Sequence, residues 1–222
     1  VIIRGEFVQV INRLQQSGLL AAVVVARGVV VEQTSEQLKS LLDKLVDERK
    51  NQEFPAETKE AVRNLLKSGG FKPSGRNKPA SEYLAQAARE GRFPLINNLV
   101  DINNYISLKT GLPISLLDAD AILNAVILRH GADGERYVFN SASQEIDLEG
   151  LICACSENDT PLGNPVKDSI PGKIKDHSTN VIGIMYAPST GPLCEVAKVG
   201  LKEFADLLSS EGKAKEVETI LA

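Results

Sequence analysis

Apolar residues follow two rhythms along this chain. Leu38, Leu41, Leu42, Leu45 and Val46 recur at helical spacing, with Asp43, Lys44, Asp47 and Glu48 between them, which predicts an amphipathic helix with one buried face. Thr34, with Gln37 three residues later, is its expected N-terminal cap. A second helix is predicted from about 56 to 67 on the stripe Ala61, Val62, Leu65 and Leu66, stopped by Gly69 and Gly70. A short third helix follows Pro79, buries Tyr83, Leu84, Ala87 and Ala88, and stops at Gly91. A fourth is predicted to begin near Pro94, with Ile96, Leu99, Val100, Asn103 and Ile106 at intervals of three and four, and to end at Gly111 and Pro113. A last one carries Val196, Val199, Phe204, Leu207 and Leu208.

The second rhythm is that of strands. Residues 19–26 form a continuous apolar run, read as a buried strand that Val29 to Val31 continue after a bend at Gly28. Further strands are predicted at 122–129, 136–140, 151–156 and 180–186, joined by turns rich in glycine. Residues 157–178 read as a long polar loop, a length uncommon without a functional role or mobility. Because sites are often built from loops on a rigid scaffold, this one is expected to lie near the 97–104 helix. Helices cluster in the first half and strands in the second, which predicts one α+β domain across residues 1–222 with a β-rich second half.

Composition narrows the function classes. With 43% hydrophobic and 24% charged residues the chain has an ordinary globular balance, but the lack of tryptophan leaves the core to Leu, Ile, Val and Ala. A formal net charge of -4 argues against a general polyanion binder. Between Lys59 and Arg92, however, eight Lys and Arg stand against three Glu. Any RNA contact is therefore expected to be local, through Lys72, Arg76 and Lys78. The competing readings are solvated helix faces, or Arg76 paired with Glu82. Cys153 and Cys155 share one strand face and Cys194 is remote, so neither a disulfide framework nor a zinc knuckle is expected. No metal and no cofactor are predicted. The longest apolar candidate, 19–31, is interrupted by Arg27, so no membrane span is expected and the cytoplasm is the default location.

Candidate chemistry is sparse. His130 follows an apolar strand and is expected at a sheet edge, while His177, beside Ser178 and Thr179, is the one candidate base for neutral pH. Asp118 and Asp120, two apart, fit a hard cation or a backbone cap, and the cap is favoured because no further oxygen ligands are indicated. Asn97, Asp101 and Asn104 fall at i, i+4 and i+7, which sets three hydrogen-bonding side chains in one row beside Asn98. Asp101 is expected to act there as a brace for the following turn.

Three stretches within 71–120 carry a resemblance. They are the block from Lys72-Pro73-Ser74-Gly75-Arg76-Asn77-Lys78-Pro79 to Leu84, the block Pro94-Leu95-Ile96-Asn97-Asn98-Leu99-Val100-Asp101 to Leu108, and the block Gly111-Leu112-Pro113-Ile114-Ser115-Leu116-Leu117-Asp118-Ala119-Asp120. Together they resemble the B3/B4 domain of the phenylalanyl-tRNA synthetase beta chain, most strongly free-standing proteins built from that domain. The resemblance implies an α+β unit around a β-sandwich of unusual topology with flanking helices. It also implies hydrolysis of tyrosine mischarged onto the phenylalanine tRNA, with tRNA or aminoacyl-tRNA rather than DNA as partner.

The chain departs from that pattern at two places. Ser115 stands where the bacterial synthetase has the histidine of its Pro-Met-His-Ala-Phe-Asp turn, and the glycine-rich segment with His-Thr-Asp-Ala is not recognisable in 160–179. No aminoacylation motif is present. The expectation is a domain that recognises tRNA or an aminoacyl group, with hydrolysis in trans through Ser115 and His177 as its catalytic form. The alternative is a non-catalytic RNA, small-molecule or protein interaction module. Asn97, Asn98, Asp101, Asn104 and Asp118 are the expected substrate-binding residues, and the sequence indicates no oligomeric state.

Overall fold

The valine-rich run that begins at Leu19 buries both of its faces, and the whole architecture follows from that. The computed structural model of the chain describes residues 2–5, 7–122 and 124–222. Its strands are β1 (Ile2–Arg4), β2 (Gln9–Asn12), β3 (Leu19–Arg27), β4 (Ile114–Asp118), β5 (Ala125–His130), β6 (Arg136–Val138), β7 (Glu145–Asp147), β8 (Ile152–Cys155), β9 (Pro161–Gly163), β10 (Asn180–Pro188) and β11 (Glu216–Leu221). Its α-helices are α1 (Glu36–Asn51), α2 (Ala56–Leu66), α3 (Ala80–Arg89), α4 (Asn98–Thr110) and α5 (Pro192–Ser210).

Two sheets form a sandwich. One has the order β1-β2-β5-β8-β9, with β2 and β5 parallel and the other pairs antiparallel; the other has the order β11-β3-β10-β4 and is antiparallel throughout. A small hairpin, β6-β7, stands apart. Side chains alternate along a strand, so β3 sends Ala21, Val23 and Val25 into the space between the sheets, where they meet Val126, Leu128 and Ile152. Ala22, Val24 and Ala26 point the other way and pack under α1, α4 and α5 with Leu38, Leu99 and Phe204. Gly183 on β10 permits that second layer, because a Cβ there would lie 2.6 Å from the Phe204 ring. The α+β sandwich with flanking helices is thus the fold the resemblance implied.

Several local expectations change. Ser35, not Thr34, caps α1, its hydroxyl accepting from the Leu38 N–H, while Thr34 turns to Asp101. Helix α4 starts at Asn98 rather than near Pro94, with Asn97 as cap. Val29 to Val31 leave the sheet; instead the Val29 and Val30 N–H groups donate to the Thr179 and Gly212 carbonyls. The 114–118 segment, outside the strands predicted from the sequence, is the edge strand β4 on β10. The segment 157–178 contains strand β9, and residues 162–166 within it are buried. Strand β11, unforeseen in the sequence, closes the far edge on β3. Among the described residues no helix is long and apolar enough to cross a membrane.

Candidate functional site

Between α3, α4, β4 and the segment after β9 lies a cavity of about 720 Å³. Its walls are apolar where Leu84, Val100, Ile114, Leu116, Val166 and Ile174 meet. Asn97, Asn103 and Asn104 of the α4 region face it, Asp168 enters from the segment after β9, and Arg76, Lys167 and Lys173 stand around it. An apolar cleft with a few convergent polar groups is the usual form of a small-molecule site.

Helix α4 divides the predicted row of amides. Asn97 caps the helix, accepting from the Val100 N–H at 3.0 Å, and lines the cavity. Asn98 does not line it. Its amide donates to the carbonyls of Val30 and Glu211, both at 2.9 Å, and its oxygen accepts from the Glu32 N–H at 3.0 Å. Asp101, fully buried, is also turned away: one oxygen accepts from the Ile96 N–H at 3.0 Å and the other from the Thr34 hydroxyl. Burial raises its carboxyl above the ordinary value, and those two hydrogen bonds oppose the shift. Asn104 does line the cavity and makes no side-chain hydrogen bond among the described residues. Asn103, which the sequence pattern assigned to the apolar stripe, lines it as well, and its buried oxygen has no hydrogen-bond partner among the described residues. A buried polar atom left unpaired costs free energy unless a ligand or water meets it.

Asp118 is the third expected substrate contact that stands elsewhere. Its carboxylate accepts from the Asp120 N–H at 3.1 Å and the Ser178 hydroxyl at 2.9 Å, with the Lys175 ammonium at 3.5 Å. It is the cap between the end of β4 and the start of β10. Asp120 itself is exposed.

The two expected catalytic residues are not brought together. His177 is exposed and does not line the cavity. Ser115 is fully buried on the sandwich side of β4, its hydroxyl 3.0 Å from the Tyr186 hydroxyl and 3.2 Å from the Asn164 carbonyl. It does not line the cavity.

Asp168 is the functional candidate that the sequence reading missed. Burial pushes its carboxyl up to about 7, against hydrogen bonds from Ser115 and from the Asn164 and Leu116 N–H groups and the charge of Lys173. Asn164 positions it. The Asn164 side-chain oxygen accepts from the Val166 and Lys167 N–H groups, both at 2.8 Å, folding 164–168 into a tight turn. The Asn164 amide donates to the Tyr137 hydroxyl, which donates to the Lys167 carbonyl at 2.6 Å. Burial raises the Tyr137 and Tyr186 phenols far above their ordinary value, so both stay protonated donors. The usable signal was the Asn164-Pro165 turn followed by a lone acid, Asp168, two residues after Val166.

The basic patch is also divided. Glu82 pairs with Arg63 in a bidentate bridge, not with Arg76. Lys59 and Arg89 both lie against Glu53. Lys78 sits 4.4 Å from the Tyr83 ring centre and donates to Gln86. Lys72 lies in a separate depression with Asp147 and Glu149. Of the three expected RNA-binding cations, Arg76 alone lines the main cavity. His130, expected at a sheet edge, instead ends β5, the central strand of its sheet, with its Nε2 3.0 Å from the Ser68 hydroxyl. Among the described residues no three His, Cys, Asp or Glu side chains gather as a metal site.

Comparison with known proteins gives a consistent answer. The B3/4 domain family matches residues 62–188, more than half of the chain. The phenylalanine–tRNA ligase beta subunit of Rickettsia typhi is 36% identical over 85 residues, 38% of this chain and 10% of that protein. That of Carboxydothermus hydrogenoformans is 32% identical over 81 residues, 36% of this chain and 10% of its own length. The Staphylococcus aureus subunit is 26% identical over 97 residues, covering 42% and 12%. The chain thus matches about a tenth of the length of these relatives. The crystal structure of an N-terminal fragment of the phenylalanyl-tRNA synthetase beta-subunit from Pyrococcus horikoshii superposes with a TM-score of 0.51 at 10% identity, over 96% of this chain and 53% of that one. That likeness is one of fold.

Proposed function

The chain belongs to the B3/4 domain family, and on that premise we propose that its cavity binds the aminoacyl group of an aminoacyl-tRNA and hydrolyses the ester of a mischarged one in trans. The observation that carries this reading is that Asp168, Asn103 and Asn104 all line one largely apolar cavity. The apolar walls suit an amino-acid side chain. The Asn103 and Asn104 amides suit a carbonyl oxygen on which negative charge develops, and such a preorganised donor contributes on the order of 10²–10³ in rate. A carboxyl near 7 matches a general base working at neutral pH. Asp168 takes a proton from water as the oxygen attacks the ester carbonyl. The tetrahedral intermediate then expels the ribose oxygen, which recovers that proton, leaving free amino acid and uncharged tRNA.

A second reading has its own support. Ser115 and His177, the groups expected to do chemistry, lie outside the cavity, which favours a binding module that holds an aminoacyl group without cleaving it. Incubation with a panel of misacylated tRNAs, following ester hydrolysis and binding separately, separates the two. Accelerated hydrolysis that falls about 100-fold in Asp168→Asn supports the deacylase. Binding without acceleration for any amino acid supports the module, and neither binding nor hydrolysis overturns both.

A further inference from the structure

Strand β11 ends its sheet, with β3 on one side and no strand on the other among the described residues. The register decides which of its backbone groups stay open. Ala21 and Ala222 exchange both of their backbone hydrogen bonds, N–H to carbonyl in each direction. Bonded and unbonded pairs alternate in an antiparallel ladder, so Glu216, Glu218 and Ile220 turn their N–H and C=O groups to β3. Val217, Thr219 and Leu221 turn theirs outward. The same three residues send their side chains into a groove of about 690 Å³ beside α5, which contributes Lys198, Lys202 and Asp206. Thr219 is exposed and Leu221 is 42% exposed. Open edges are commonly blunted by proline, a bulge or inward charge. Here the register runs unbroken from Glu216 to Leu221, without a proline. Glu218 is turned to the opposite face, where it accepts from the Phe7 N–H at 3.1 Å.

We propose that β11 is the docking edge for a second copy of this chain. Two β11 strands pair antiparallel about a two-fold axis at Thr219, joining two four-stranded sheets into one. The acids select both the register and the occupant. An axis at Val217 would set Glu216 against Glu218 of the second copy, and an axis at Glu218 would set that acid against itself. Like charges directly opposite destabilise a sheet. With the axis at Thr219, Glu218 faces Ile220, Val217 faces Leu221 and Thr219 faces Thr219 across the seam. The apolar pair and the threonine pair are both favourable cross-strand neighbours. The outward-facing residues then meet one another, so each of their pairs exchanges two backbone hydrogen bonds.

The helices agree with this arrangement. Because the chain reverses between α5 and β11, the Asp206 end of the helix lies by the start of the strand and the Lys198 end by its finish. The two-fold axis therefore brings Asp206 of one copy towards Lys198 and Lys202 of the other. Lys198 reaches only Glu195 on its own helix, at 2.7 Å, while Lys202 and Asp206 form no ion pair among the described residues. A strand from another protein would require none of this self-complementarity. The opposite edge of the sheet is β4, whose Ile114 and Leu116 line the main cavity, so the pairing leaves both cavities open at the far ends.

Sedimentation equilibrium of the full chain over a concentration series tests this, with circular dichroism checking the fold of each variant. The unmodified chain is expected to pass from monomer to dimer as its concentration rises. Thr219→Lys and Thr219→Glu set like charges on the axis and should each weaken the dimer about fivefold or more. An equimolar mixture of the two variants, which sets opposite charges there, should recover it. Thr219→Pro removes an N–H that β3 does not use, so it should keep the fold and abolish the dimer. Hydrogen exchange on the unmodified chain reads the edge without any substitution. The Val217, Thr219 and Leu221 amides should exchange fast in dilute solution and become protected as the dimer forms, while those of Glu218 and Ile220 stay protected throughout. A chain that remains monomeric up to about 1 mM leaves the edge to a different partner and overturns the proposal. So does a dimer indifferent to the charge at position 219, a mixture no more associated than its components, or edge protection that does not depend on concentration.

Discussion

The first and second turns of α4 carry similar polar residues to opposite ends. On the first, Asn98 and Asp101 are saturated by five hydrogen bonds from or to Val30, Glu32, Thr34, Ile96 and Glu211. On the second, Asn103 and Asn104 line the cavity and the Asn103 oxygen has no partner among the described residues. A buried amide with all its bonds made fixes the chain. One with an unmet bond holds a position that a ligand can complete. Hydrogen-bond saturation, more than residue type or spacing, separates scaffold from site in this helix.

The largest expected effect breaks the scaffold half. Asn98→Ala strands one backbone N–H and two carbonyls and should cost about 3 kcal/mol; Asp101→Ala, which strands an N–H and a hydroxyl, should cost about 2 kcal/mol. Denaturant melts of both against Asn104→Ala check this, and a comparable loss in Asn104→Ala would erase the distinction.

Next in size is a pH effect from another residue of the cavity lining. The Asp168 carboxyl is raised from 3.8 to about 7 on folding, so the native state holds its proton more tightly than the unfolded chain does. Its contribution to stability is therefore full below the unfolded value and is lost as pH rises towards 7. Asp168→Asn, which does not titrate, should gain on the unmodified chain by about 2 kcal/mol between pH 5 and pH 8. Melts at the two pH values test it, and a gap independent of pH would show the carboxyl to be solvated.

A smaller change in stability sharpens the cavity half. Asn103→Leu removes an unpartnered oxygen at an apolar wall, so the fold should change by less than about 1 kcal/mol in either direction. Aminoacyl binding should nevertheless fall about tenfold, read by titration with an aminoacyl-adenosine analogue. His177→Ala is the null case: at an exposed position it should alter stability by no more than about 0.5 kcal/mol and leave hydrolysis unchanged.

Much of the fold was legible because periodicity reports burial directly. The stripes of α1, α2 and α3 and the unbroken apolar run of β3 have no other good explanation. Strand β11 was hidden by its alternating acids, since Glu216 and Glu218 read as solvent on a strand that is open on one side. Strand β4 was obscured by Ser115 and Asp118, polar residues that turn out to be buried and bonded to Ser178, Tyr186 and the 164–168 turn. Of the site, Asn97, Asn104 and Arg76 were visible as a polar row and a basic loop. Asp168 was not, because only the three-dimensional fold of the 164–168 turn brings its carboxylate against the Asn164 N–H and into the cavity wall.

Asp118 does not line the cavity, yet it clasps Ser178 and Lys175 at the end of the segment that does. Together with the Asn164 turn it fastens the 164–178 wall at both ends, so that wall is ordered before a ligand arrives. Ordering a free loop costs roughly 1–2 kcal/mol per residue, and here that cost falls on folding rather than on association. On the proposed reading such a chamber selects by refusal: a side chain of the wrong shape meets a wall that does not adjust, and it leaves quickly. Loosening the clasp with Asp118→Asn should widen the range of amino acids admitted before it weakens the affinity for the best one.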